Sequence, residues 1–153
     1  MGASRVIAPL VETPEEAAAF AAALRYPPRG NRSFGPRRPL LRYGADYLRF
    51  ASDSVVSLAM IETSRGVDSR EAILAVDGCD GVFIGPSDLA LALGLSPKPD
   101  SDDPVMTETV RHIRERAHTS DKRVGIFCAQ PSSRAPRSPK DLMWSRSRLT
   151  SRC

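Results

Sequence analysis

The stretch Ser54–Asp88, SVVSLAMIETSRGVDSREAILAVDGCDGVFIGPSD, decides the fold of this 153-residue chain. It opens on Ser54-Val-Val-Ser-Leu-Ala-Met-Ile61, an apolar run suited to a strand covered on both faces, with Glu62 at its end. Residues 67–76 carry Ala72, Ile73 and Val76 as the apolar stripe of a helix. Gly81-Val-Phe-Ile84 is a second apolar run, and Gly85-Pro86 stops it sharply. Strand, helix and strand in this order predict a parallel pair bridged by a covering helix.

The same alternation continues on both sides. Upstream, Arg5–Val11 reads as a buried strand. In Thr13-Pro14-Glu15-Glu16, Thr13 can cap a helix, Pro14 suits its first position and Glu16 completes a capping box. The Ala-rich helix then runs to about Leu24. Residues 25–36, rich in Pro and Gly, read as a long surface loop, and a helix is expected at Ala45–Ala51. Downstream, Ser87–Leu93 suits a short helix. Asp102-Asp103-Pro104 opens a long one to about His118, with Val105, Thr109, His112, Ile113 and Arg116 near one face. Val124–Cys128 is a fourth strand. The expected class is α/β, with about four parallel strands covered by helices. Neither GxGxxG nor a Walker pattern occurs, so part of a TIM-type (β/α) barrel is a better reading than a Rossmann sheet.

Composition fixes what kind of chain this is. Hydrophobic content of 41% with 26% charged residues suits one folded domain, expected over residues 1–129. The net charge of +4 is unevenly spread: residues 131–153 hold six Lys/Arg and one Asp, whereas the preceding sixteen Lys/Arg face seventeen Asp/Glu. Residues 130–153, rich in Pro, Ser and Arg, therefore read as a disordered basic tail. A nucleic-acid surface built into the fold is not supported. No apolar run reaches the roughly 18 residues of a membrane span, and neither a secretory leader nor a lipid anchor is expected. Three widely spaced cysteines (Cys79, Cys128 and Cys153) form no zinc pattern with His112 and His118 and suit a reducing cytoplasm.

Glu62 and Asp88 carry the chemistry. Glu62 follows one strand directly, and Asp88 follows the next after a Gly-Pro-Ser turn. Both should lie at the carboxyl ends of parallel strands, where such sheets and barrels place their sites. They stand 26 residues apart, close to one strand–helix–strand unit of roughly 30 residues. On neighbouring strands about 4.8 Å apart, both carboxylates can reach one ion. Oxygen ligands with open positions suit Mg²⁺ or Mn²⁺ chelated by a 2-oxo acid, the metal acting as Lewis acid toward the enolate. The backbone after Gly85 could receive the substrate carboxylate. The alternative is plain: Glu62 as a strand-end salt-bridge partner and Asp88 as a helix cap.

Three motifs, Arg25-Tyr-Pro-Pro-Arg-Gly30, Ile61-Glu62-Thr63 and Asp80-Gly-Val-Phe-Ile-Gly-Pro-Ser-Asp-Leu89, resemble the HpcH/HpaI aldolase and citrate lyase β family. The likeness is strongest to its metal-dependent 2-oxo acid aldolases and runs from about residue 2 to Cys128. It implies a (β/α)₈ barrel, reversible aldol cleavage releasing pyruvate from an adduct with an aldehyde, and assembly into oligomers. It also implies Glu62 and Asp88 as ligands of the divalent ion, and Gly85, Pro86 and Ser87 as the turn that holds the pyruvate carboxylate.

The same resemblance exposes departures. The first strand corresponds to the fourth of the family's barrel and Val124–Cys128 to the seventh, so strands one to three and eight have no counterpart. The family's catalytic His and substrate-polarising Arg belong to the early strands and transfer to no residue here. Met60 stands where many of these aldolases have a Gln that touches substrate, and a thioether is only a weak acceptor. An incomplete or out-of-frame gene product is expected, with catalysis impaired for want of a base. A citrate-lyase-β-like cleavage of a CoA thioester and an inactive metal-binding fragment are the alternatives.

The remaining candidates have ordinary readings. His112 is expected to be half-buried packing, His118 to favour its helix dipole, and Cys128 to be a buried inert thiol. The arginines at 25, 29, 32, 37, 38 and 42 are either a solvated loop or, in a complete barrel, a border of the entrance that attracts anionic substrates.

Overall fold

In a computed structural model that describes residues 4–98 and 100–128, the stretch that decides the fold forms the middle of a four-stranded sheet. Strands β1 (Arg5–Ala8), β2 (Val56–Ile61), β3 (Gly81–Ile84) and β4 (Arg123–Ile126) lie in the order β1-β2-β3-β4, every pair parallel. Ile7 stands level with Leu58, Leu58 with Gly81, and Met60 with Phe83. The helices are α1 (Pro14–Ala23), α2 (Arg37–Tyr43), α3 (Tyr47–Ala51), α4 (Ser64–Asp68), α5 (Arg70–Leu74), α6 (Pro86–Ala92) and α7 (Pro104–Thr119), with a 3₁₀ turn at Gly44–Asp46.

The core lies between one face of the sheet and the helices. Ala59, Ile61, Val82 and Ile84 from the central strands pack with Ala17, Ile73, Leu74, Leu89, Ile113 and Ala117. Strand side chains alternate, so Ile7, Leu58, Met60 and Phe83 occupy the other face. Local signals explain where most elements begin and end. The capping box of α1 forms as expected: Thr13 Oγ1 accepts from the Glu16 N–H at 3.2 Å and Glu16 Oε2 accepts from the Thr13 N–H. Asp103 Oδ1 accepts from the Val105 N–H at 2.9 Å to start α7.

Several elements differ from expectation for identifiable reasons. β1 ends at Ala8 instead of Val11, because Pro9 has no N–H and Leu10 takes φ +53. The single helix expected over 67–76 is two short ones: Thr63 starts α4 early by capping Gly66, and Ser69 breaks the run. α2 buries no residue, so no apolar stripe marked it, and Gly44 at φ +62 ends it. The inward face of α7 is Met106, Val110, Ile113 and Ala117, one residue out of phase with most of the expected stripe. His112 is therefore not packing: it faces solvent, 3.0 Å from Glu108. Cys128, expected buried, is exposed beyond the end of β4. The tail expected over 130–153 lies outside the described residues. No helix among those described is long and apolar enough to cross a membrane.

Candidate active site

Three chain segments meet where β2 and β3 end. Glu62, one residue past β2, is only 6% exposed. Its Oε1 accepts a 2.8 Å hydrogen bond from the backbone N–H of Leu10, in the turn after β1. Leu10 holds that N–H in place from a left-handed backbone, a conformation costing a leucine about 1–2 kcal/mol. The other oxygen, Oε2, lies over Gly85 at the end of β3: a Cβ there would stand 2.4 Å from it and 3.3 Å from Met60 Sδ. Only glycine lets the carboxylate sit there, with the Met60 sulfur beside it.

Gly85 is the residue before α6, and Pro86 and Ser87 open that helix with Asp88 in its first turn, exposed to solvent. The backbone donors of this turn are fewer than its sequence suggests. Gly85 N–H already bonds the Ile61 carbonyl, and Pro86 has none. The first bond of α6 runs from the Leu89 N–H to the Gly85 carbonyl. The amides of Ser87 and Asp88 precede it and point, with the helix start, toward this end of the sheet. Within the expected Gly85–Pro86–Ser87 turn, Gly85 and Pro86 therefore offer no free N–H, and Gly85 instead makes room for Glu62.

Glu62 and Asp88 are oxygen donors of the kind a hard divalent cation takes, and among the described residues no group of three or more His, Cys, Asp or Glu side chains comes together to hold a metal. A buried carboxylate normally has a charged partner, yet among the described residues no Lys, Arg or His forms an ion pair with Glu62. One backbone N–H on Oε1 leaves Oε2 to supply the charge a small cation seeks, and Asp88 offers carboxylate oxygens from the adjoining turn. Among the described residues Glu62 forms no salt bridge, and α6, whose N-cap is Gly85, has no side-chain cap.

The arginine loop belongs to the opposite end of the sheet. Arg25, 5% exposed, donates through Nη2 to Asp80 Oδ2 at 3.0 Å and through Nη1 to the Ala21 carbonyl. The same Asp80 oxygen accepts from the Ser57 N–H at 2.8 Å and the Ser57 hydroxyl at 2.9 Å. Asp80 immediately precedes β3, and Asp53, which pairs with Arg29, precedes β2. Because α1 runs back antiparallel to the strands, Arg25–Gly30 lands at their amino ends and does not border the Glu62 mouth. Sequence reasoning missed this buried Arg25–Asp80–Ser57 cluster as well as the Leu10 contact. The glycine before Pro86 was the one readable sign of a close approach.

A model of the HpcH/HpaI aldolase/citrate lyase family matches residues 1–140. The hydroxypyruvate/pyruvate aldolase of Rhizorhabdus wittichii is 58% identical over 127 residues, which are 83% of this chain and 51% of that protein. The 5-keto-4-deoxy-D-glucarate aldolase of Escherichia coli O157:H7 is 39% identical over 129 residues, 83% of this chain and 50% of that one. A solved HpcH/HpaI aldolase/citrate lyase family protein from Burkholderia cenocepacia superposes with a TM-score of 0.75 at 32% identity, across 84% of this chain and 52% of the other. The chain spans about half the length of the curated relatives it matches.

Proposed function

Because the chain belongs to the HpcH/HpaI aldolase/citrate lyase family, we propose that it serves a divalent-metal-dependent carbon–carbon lyase reaction of the pyruvate aldolase type. Its substrates would be a 2-oxo acid and an aldehyde. One observation carries the reading: a buried Glu62 with one oxygen tied to Leu10 N–H, the other over Gly85, and no cationic partner among the described residues.

Glu62 and Asp88 would hold Mg²⁺ or Mn²⁺. When bound, the ion supplies a Lewis acid that offsets negative charge developing on the keto oxygen. The chain's own residues do the rest. Leu10 N–H fixes the Glu62 carboxylate, so its orientation costs no reorganisation during reaction. The first-turn amides of Ser87 and Asp88 receive the substrate carboxylate and set the keto group toward the two acidic residues. Met60, whose sulfur stands beside Gly85, gives the substrate no strong hydrogen bond.

No general base is assigned. Among the described residues, His112 lies on the solvent face of α7 and is paired with Glu108. A second reading, metal and 2-oxo acid binding with little turnover, rests on that observation. The names of the aldolase relatives favour the aldolase over the CoA-thioester alternative.

Calorimetric titration of Mn²⁺ into the wild type, Glu62→Gln and Asp88→Asn tests the site. Each substitution should weaken binding by about tenfold or more; unchanged affinity in both would overturn the assignment. Pyruvate release from a 4-hydroxy-2-oxo acid, run beside a malyl-type thioester, separates the two lyase readings. A flat trace for both with intact metal binding supports the second.

A further inference from the structure

We propose that α2 and α3 form a docking face for an anionic lipid surface, Arg37, Arg38 and Arg42 meeting the headgroups and Leu41 entering between them. The inference does not depend on the lyase reading. Residues 25–51 hold seven arginines and one acidic residue, Asp46. Three of these arginines are neutralised, Arg25 by Asp80, Arg29 by Asp53 and Arg49 by Asp46. Among the described residues Arg32, Arg37, Arg38 and Arg42 form no ion pair.

Apolar side chains stand among these charges. Leu41 is 89% exposed and Phe34 60%, and Tyr43, Leu48 and Phe50 are exposed beside them. A helix turns about 100° per residue, so Arg37, Leu41, Arg38 and Arg42 fall in that order within an arc of about 140°. All four are exposed, whereas Leu40, on the far side, packs against the small cluster of Tyr26, Tyr47 and Ala51. α2 is thus held from behind and turns outward a leucine flanked by three unpaired cations. Helices that lie in a membrane interface combine the same parts: basic side chains for the phosphates and an apolar group for the acyl boundary.

The rings argue for lipid over nucleic acid. Single strands bind by stacking bases on free aromatic faces. Tyr26 is buried, with the Arg32 guanidinium over its ring at 4.8 Å. Tyr43 stacks on Tyr47 and carries Arg42 over its ring at 5.4 Å. Phe34 and Phe50 meet these rings edge-on, which ties the face into one piece. The most exposed apolar group is the aliphatic Leu41, which offers a base nothing to stack on and gains by leaving water for acyl chains. The face lies at the amino end of the sheet, since Tyr26 follows Arg25 and Ala51 leads into β2. A docked chain therefore keeps the Glu62 end open to solvent.

Sedimentation of the full chain with phosphatidylcholine vesicles, with and without phosphatidylserine, tests the proposal. Binding is expected only with the anionic lipid and should weaken as salt is raised. Arg37→Glu and Arg38→Glu should each weaken it about fivefold or more, and Leu41→Ser about tenfold. These side chains are exposed, so circular dichroism of the variants should match wild type. Arg114→Glu, which reverses an exposed charge on α7, should bind as wild type does. Independently of any variant, hydrogen exchange over residues 37–50 should slow on anionic vesicles, and exchange over 104–119 should not. Five results each overturn the proposal: equal binding to neutral vesicles, binding to neither, unchanged exchange over 37–50, variants that bind as tightly as wild type (the attraction then residing in the basic residues 131–153), or retention of a single-stranded RNA in place of vesicles.

Discussion

Replacing Gly85 by alanine puts one methyl group where a carboxylate oxygen already stands. The new Cβ would lie 2.4 Å from Glu62 Oε2, 3.1 Å from Glu62 Cβ and 3.3 Å from Met60 Sδ. The sulfur belongs to a flexible side chain and can yield. The carboxylate cannot, because Glu62 is buried and its other oxygen is held at 2.8 Å by Leu10 N–H. Relief to an ordinary contact needs a retreat of about 1 Å, which stretches that hydrogen bond past useful length. Overpacking costs about 1–3 kcal/mol and a charge-assisted hydrogen bond about 1.5–3, partly shared because one movement causes both. Alanine returns about 0.4–1 kcal/mol through the unfolded chain. A net loss of about 2 kcal/mol is expected in urea unfolding. Gly35→Ala, which meets nothing within 4 Å, serves as the control and should stay within about 0.5 kcal/mol of wild type. In a Glu62→Ala background the Gly85→Ala penalty should shrink by about 1 kcal/mol or more. An unchanged penalty there, or a Gly85→Ala variant as stable as the control, would refute the claimed contact.

Two further outcomes follow from the opposite end of the sheet and from the surface of α7. Asp80→Ala strands the buried Arg25 guanidinium and both Ser57 donors and should cost about 3 kcal/mol in the same assay. Asp53→Ala, which frees the solvated Arg29, should cost far less; equal losses would show that the Arg25 cluster is not a buried tie. On α7, the hydrogen bond from Arg111 holds the Glu108 carboxyl below its usual value. A carboxyl depressed in the folded state contributes stability above its unfolded value near 4.3 and loses it as pH falls through the lower folded value. An NMR titration of Glu108 should therefore show a midpoint below about 4.3 that rises in Arg111→Gln, and a midpoint unaffected by that substitution would contradict the pairing.

The elements that were legible owe their form to neighbours in sequence. The runs at Val56–Ile61 and Gly81–Ile84 are apolar whichever way they face, so burial on both sides could be read without knowing the partner. Thr13, Pro14 and Glu16 cap α1 within one turn, and Pro86 starts α6 at the position its ring permits. α7 was legible as a helix but not in its phase: Ile113 is common to the expected and observed faces, and one residue of error, about 100° of rotation, sends His112 into solvent.

The sequence by itself determined the alternation of strand and helix, the parallel class, and the placing of Glu62 and Asp88 just beyond strand ends. Those follow from apolar periodicity, caps and proline, forces that act over a few residues. Only the tertiary structure decided what each end of the sheet holds. Leu10 reaches Glu62 across 52 positions and Arg25 reaches Asp80 across 55. The first contact exists because β1 and β2 are parallel neighbours and end together, the second because α1 returns antiparallel to the strands it covers. That return assigns Arg25 to a buried tie beneath the sheet, while above it Glu62 is buried with no cationic partner among the described residues.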